Sequence, residues 1–197
     1  MQKPPDFTEP HNTRMVRKFG SMERFEQVKR SHGLIPRGAE VGLDESCGFS
    51  QAQLDKRVQS STLNSHRLVL YVAKTYGLDK SEALYAALNR RHFIESGVLN
   101  DPELLKGALG DVGVGPGTGL EEAQAFLESG RGTRAVLSMY DTVTEQMGIH
   151  SIPTLIVDGK YMVSGAARSG EVLKMLERVL TEGPSGTNGI FGDIDLD

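Results

Sequence analysis

One cysteine, Cys47, stands in the string Ser46-Cys47-Gly48-Phe49-Ser50, and a single thiol sets a firm limit on sulfur chemistry. In disulfide exchange a first thiolate attacks and a second thiol resolves the mixed disulfide, so one sulfur cannot complete the cycle from the chain's own residues. An internal disulfide framework is excluded by the same count. The histidines His11, His32, His66, His92 and His150 show neither His-x-x-x-His spacing nor a carboxylate at ligand spacing, so no metal site is predicted. Pro153 follows Ile152 at the head of a strand-like run, where proline marks either an edge strand or a cis bond that turns the preceding backbone outward. The run GVGPGTG at 113–119 lacks the Lys-Ser/Thr ending of a phosphate loop and reads as a linker.

The elements that must position these residues are legible in part. Residues 12–32 suggest short helices broken at Gly20-Ser21, followed by a Gly- and Pro-punctuated stretch in which no strand is convincing. From Ser61 the pattern is helical: STLNSHRLVLYVAKTYG, then SEALYAALNRRHFIESG behind Asp79, then a helix opened by Asp101-Pro102, then GLEEAQAFLESG with acids in its first turn. Val136, Met139, Tyr140, Val143 and Met147 fall at helical spacing, which predicts a buried stripe over 133–147. TLIV and YMVS flank Asp158-Gly159, a strong antiparallel hairpin signal. Val172, Leu173, Leu176, Val179 and Leu180 then predict a last helix packed on that hairpin. Both termini, Pro-rich at the start and Gly-rich and acidic at the end, are expected to be poorly ordered.

The string GIHSIPTLIVDGKYMVSGA resembles the second half of a thioredoxin fold, with a helix end, a proline entering the first hairpin strand and Gly-Ala before the final helix. The helical stretch resembles the insertion of the FrnE-like subgroup of DsbA proteins, relatives of the 2-hydroxychromene-2-carboxylate isomerases. Ser61-Thr62-Leu63-Asn64-Ser65-His66-Arg67-Leu68 is similar to that subgroup's Asn-Thr-x-x-Ala-His-Arg-Leu motif, with serines at the Asn and Ala positions, and RRHFIESGVLND to its later Phe-containing turn. The resemblance implies an α/β fold, thioredoxin-like of the DsbA type with an inserted helical subdomain, in which the first βαβ unit with its Cys-x-x-Cys is missing. It divides the chain into linker helices and an irregular segment (1–60), the helical insertion (61–147), a hairpin-plus-helix remnant (148–181) and a disordered tail (182–197).

In that family the residue before a cis-proline presents its backbone to an extended substrate. The resemblance therefore implies substrate-binding roles for Ile152, Pro153, Asn64, His66 and His150, a thiol-containing protein or peptide as partner, and thiol–disulfide oxidoreductase ancestry with no active centre in this chain. A non-catalytic peptide-binding module is the alternative. Cys-Gly-Phe-Ser is also similar to the signature of monothiol glutaredoxins, so Cys47 as a glutathione or iron–sulfur carrier stands beside a plain loop thiol. No cofactor is expected, with glutathione the one candidate. A net charge of −4 without a basic cluster argues against nucleic acid, and no apolar run reaches membrane-span length, so a cytoplasmic location is expected. Lacking neighbours, TLIV is expected to leave an apolar strand edge open to self-association.

Overall fold

The computed structural model describes residues 4–31, 56–165, 167–183 and 195–196, which fall into two compact units, 1–133 and 134–197. In the first unit, β1 (Thr8–Pro10) pairs antiparallel with β2 (Val58–Ser60), in the register Thr8↔Ser60, Glu9↔Gln59, Pro10↔Val58. The sequence reading missed this pair because three residues are too few to show alternation. The early segment is nonetheless tied down: Ser61 N–H donates to the Phe7 carbonyl (3.0 Å), and the Asn100 amide donates to the carbonyls of Pro5 (2.9 Å) and Phe7 (3.2 Å). The expected looseness of the first ten residues is thus overturned from Pro4 onward. Helices α1 (His11–Phe19) and α2 (Met22–Ser31) break where expected, at Gly20, whose φ of 88° only glycine adopts readily.

Helices α3 (Leu63–Tyr76), α4 (Leu78–Asn89), α5 (Pro102–Asp111) and α6 (Leu120–Glu128) build the core of this unit. Leu68 and Val72 on α3, Leu84 and Leu88 on α4, and Leu105 and Leu109 on α5 recur at i,i+4 and face one cluster. Burying each such leucine contributes about 2 kcal/mol. Gly77 at φ 90° lets α3 turn straight into α4, and the Ser81 hydroxyl clips the junction by donating to the Val69 carbonyl at 3.0 Å. Asp101 caps α5 as its sequence predicted, accepting from Glu103 N–H at 3.0 Å with Pro102 at the first helical position. After Asn89, α4 continues into a single π turn, Arg90–Ile94.

The second unit begins one residue into α7 (Thr133–Asp141), which continues into a π turn at Thr142–Gln146, and holds the hairpin β3 (Thr154–Val157) and β4 (Tyr161–Ser164), and α8 (Ser169–Glu182). Asp158 (φ 56°) and Gly159 (φ 63°) take left-handed conformations in the three-residue connection 158–160, where Lys160 N–H donates to the Val157 carbonyl at 3.2 Å. Two burial expectations are corrected. Along 133–147 only Val136 is buried, and Tyr140 is half exposed. On α8 only Met175 is buried, whereas Leu173, Leu176 and Leu180 are exposed, because four-residue strands are wide enough to cover one stripe of the helix and leave its neighbour outside. Helix α8 ends at Glu182, and residues 184–194 and 197 of the expected tail lie outside the described residues.

Candidate functional site

Two places carry the residues singled out from the sequence, one in each unit. In the first, a cavity of about 290 Å³ opens between β2, α3 and the end of α4. Arg57, immediately before β2, and Gln59 within it reach the cavity at the two-residue period of extended chain. Thr62, Ser65, His66 and Val69 reach it from the start of α3, and Tyr85, Leu88, Asn89 and His92 from the end of α4, both sets at i, i+3, i+4, i+7. Phe93 and Leu99 complete the wall. His92 and Phe93, consecutive in the π turn, both line the cavity.

The polar groups in the wall differ in their surroundings. His92 is buried, and its Nδ1 donates to the Gly97 carbonyl at 2.8 Å, which places a proton on that nitrogen. Burial pushes the His92 pKa down, the Gly97 carbonyl opposes that shift, and the charge on Arg57 adds to it. His66 is open to solvent along one edge, yet the protein packed around the imidazole still lowers its pKa by desolvation. Arg57 is half-buried with its guanidinium 5.3 Å from the centroid of Phe93, and its Nε is buried with no hydrogen-bond partner. Burial lowers its pKa, as does the neighbouring charge of Arg14, which itself donates to Gln59 Oε1 at 2.5 Å. Asn64 does not line the cavity, since its Oδ1 accepts from Arg67 Nη1 at 2.7 Å.

In the second unit, the Ile152–Pro153 bond is cis and Ile152 is 92% exposed just before β3. The Pro153 carbonyl accepts from Gly165 N–H at 2.8 Å, and Thr154 Oγ1 donates to the Ser151 carbonyl at 2.9 Å, which fixes the approach to the strand. His150 is exposed two residues before Ile152. Among the described residues β3 pairs only with β4, so its other edge has no backbone partner there. Cys47 lies outside the described residues, as does most of the irregular segment read from the sequence. Among the described residues no cluster of His, Cys, Asp and Glu could hold a metal ion, and no helix is long and apolar enough to cross a membrane.

The crystal structure of a probable DsbA oxidoreductase from Streptomyces coelicolor superimposes with a TM-score of 0.68 and 25% sequence identity, over 95% of this chain and 74% of that one. The fold is thioredoxin-like, of the DsbA type, with an inserted helical subdomain. No family model matches the sequence, and no curated protein matches it. Arg57, Gln59, Tyr85, Asn89, His92 and Phe93 were not picked out as site residues from the sequence. The signal that could have found part of this set is the Tyr85–Leu88–Asn89–His92 spacing, which repeats that of Thr62–Ser65–His66–Val69.

Proposed function

We propose that this DsbA-like protein serves thiol–disulfide chemistry by docking an extended polypeptide along β3, with Ile152 and Pro153 at the docking point and His150 flanking it. The likeness to a probable DsbA oxidoreductase over 95% of the chain carries this reading. The edge of β3 supports it, because a strand whose outer N–H and C=O groups lack partners among the described residues can take up a further strand, and the exposed Ile152 adds an apolar contact beside it. The 197 residues contain one cysteine, so net oxidation of a dithiol needs a second sulfur from glutathione or from the substrate. Docking without complete redox turnover is therefore the activity proposed for this chain. Asn64 has a structural role on Arg67 in this reading, and His66 lines the cavity of the first unit.

The test pairs insulin reduction in the presence of glutathione with binding of a reduced, unfolded polypeptide. Wild-type protein and Cys47→Ser are expected to bind the polypeptide alike and to show no turnover, while Ile152→Asp loses binding. Turnover that vanishes in Cys47→Ser would transfer the activity to that thiol. Binding indifferent to Ile152→Asp would remove the β3 docking point.

A further inference from the structure

Arg57 is an arginine without a counter-charge. Among the described residues its guanidinium makes no ion pair and no side-chain hydrogen bond, its Nε is buried and unpartnered, and its close contact is the face of Phe93. Arg14, whose charge acts on it, has the same sign. Among the described residues no aspartate or glutamate lines the cavity into which Arg57 reaches. An arginine so placed loses hydration and gains no protein anion in return, an arrangement that a bound anion relieves through charge-assisted hydrogen bonds. The remaining wall is divided. His66, Tyr85 and Asn89 make no side-chain hydrogen bond to any described residue, while Val69, Leu88 and Leu99 give an apolar surface. The ligand chemistry that suits such a wall is a charged head joined to an apolar body, and 290 Å³ lies at the small end of small-molecule sites.

We propose that this cavity is a binding site for a small organic carboxylate, with the carboxylate on Arg57 and its aromatic or short aliphatic body against Val69, Leu88 and Leu99. A carboxylate presents two oxygens to the planar guanidinium fork, and Phe93 holds that fork in orientation by stacking. Inorganic phosphate would meet the charge and leave the apolar wall unfilled. The site lies wholly within the helical unit and uses neither Cys47 nor the Ile152 docking point, so it stands or falls independently of the thiol–disulfide reading.

Benzoate is the probe, with benzamide as its uncharged counterpart and inorganic phosphate as the head without the body. Binding is read by calorimetry and by the imidazole resonances of His66 and His92 on the full chain. Benzoate is expected to bind saturably and move both imidazoles, benzamide and phosphate to bind at least about tenfold more weakly, and Arg57→Gln to cost a similar factor. Should Arg57→Gln disturb folding by circular dichroism, Phe93→Leu, which frees the guanidinium without removing its charge, is expected to weaken benzoate and leave phosphate unchanged. Absent saturable benzoate binding, equal affinity for benzoate and benzamide, or equal affinity for benzoate and phosphate would each overturn the proposal.

Discussion

Arg67 shows at the residue scale how a charge is kept inside the helical unit. Only 3% exposed, it donates through Nε to the Arg131 carbonyl (2.7 Å), through Nη2 to the carbonyls of Phe126 and Leu127 (3.0 Å each), and through Nη1 to Asn64 Oδ1 (2.7 Å). The Phe126 and Leu127 carbonyls lie in the last turn of α6, which lacks helical donors of its own, and the Arg131 carbonyl lies just past it, so Arg67 acts as a cap reaching across from α3. Arg67→Met is expected to cost roughly 3 kcal/mol in urea unfolding, because it strips donors from four acceptors at once. Arg67→Lys should recover less than half of that, since a single ammonium cannot span the same fork. A cost below about 1 kcal/mol for Arg67→Met would mean that water replaces the arginine. The motif resemblance drew attention to Asn64 and His66, yet Arg67, the next turn's residue, organises the first of them. Arg57 carried no signal in the sequence at all: an arginine between Lys56 and Val58 becomes distinctive only when β2, α3 and α4 converge without bringing it a carboxylate.

Elements were legible where local chemistry decides them. Asp101-Pro102 starts a helix and Asp158-Gly159 turns a hairpin because backbone angles and capping groups act over a few residues. The faces of α7 and α8 were misread because periodicity states which residues share a stripe, while the partner available to cover it is settled far along the chain. Glycines divide in the same way. At Gly119, with φ 108° and a would-be Cβ only 1.8 Å from the Tyr76 hydroxyl, Gly119→Ala is expected to destabilise by about 2 kcal/mol or more and to loosen the start of α6. Gly110, inside α5 with nothing within 4 Å, should instead gain about 0.5–1 kcal/mol as Gly110→Ala, and thermal melts of the two variants should move in opposite directions. In the second unit, Glu182 at the end of α8 accepts from Lys160 (2.7 Å), Tyr161 (2.5 Å) and Arg178 (3.1 Å) and so binds the helix to the hairpin. Lys160 first, then Tyr161 and Arg178, hold its carboxyl down to about 2 from an ordinary 4.5. A depressed carboxylate stabilises the folded form above its unfolded value and loses that contribution as pH falls from about 4.5 towards 2. A carbon-13 titration of Glu182 should find the low midpoint, and Glu182→Gln should remove the acid dependence of α8 docking on the hairpin; a midpoint near 4.5 would show that solvent screens the cluster.

The molecule as a whole distributes its stability unevenly. Of the buried apolar side chains among the described residues, only Val136 and Met175 lie beyond residue 133, while the first unit holds the continuous cluster from Leu68 to Ala123. The thioredoxin-like hairpin and its helix were therefore the clearest part of the sequence and are the least buried part of the fold, because short-range turn and strand signals need no core behind them. A two-stranded sheet with one helix has little apolar area to set against chain entropy. It also exposes Ile152, Met162, Leu173, Leu176 and Leu180, which water must solvate whenever no partner covers them. Unfolding is thus expected in two steps, with the second unit opening first. Native-state hydrogen exchange should show amides of β3, β4 and α8 exchanging well before those of α3, α4 and α5, whose slowest members follow global unfolding. Raising the protein concentration should slow exchange in β3 and α8 alone if a second copy covers the open strand edge and the leucine stripe, and an extended polypeptide should slow β3 in the same way at fixed concentration. One cooperative transition with uniform protection would contradict this division, since equal protection requires the hairpin unit to share in a core that its burial does not show.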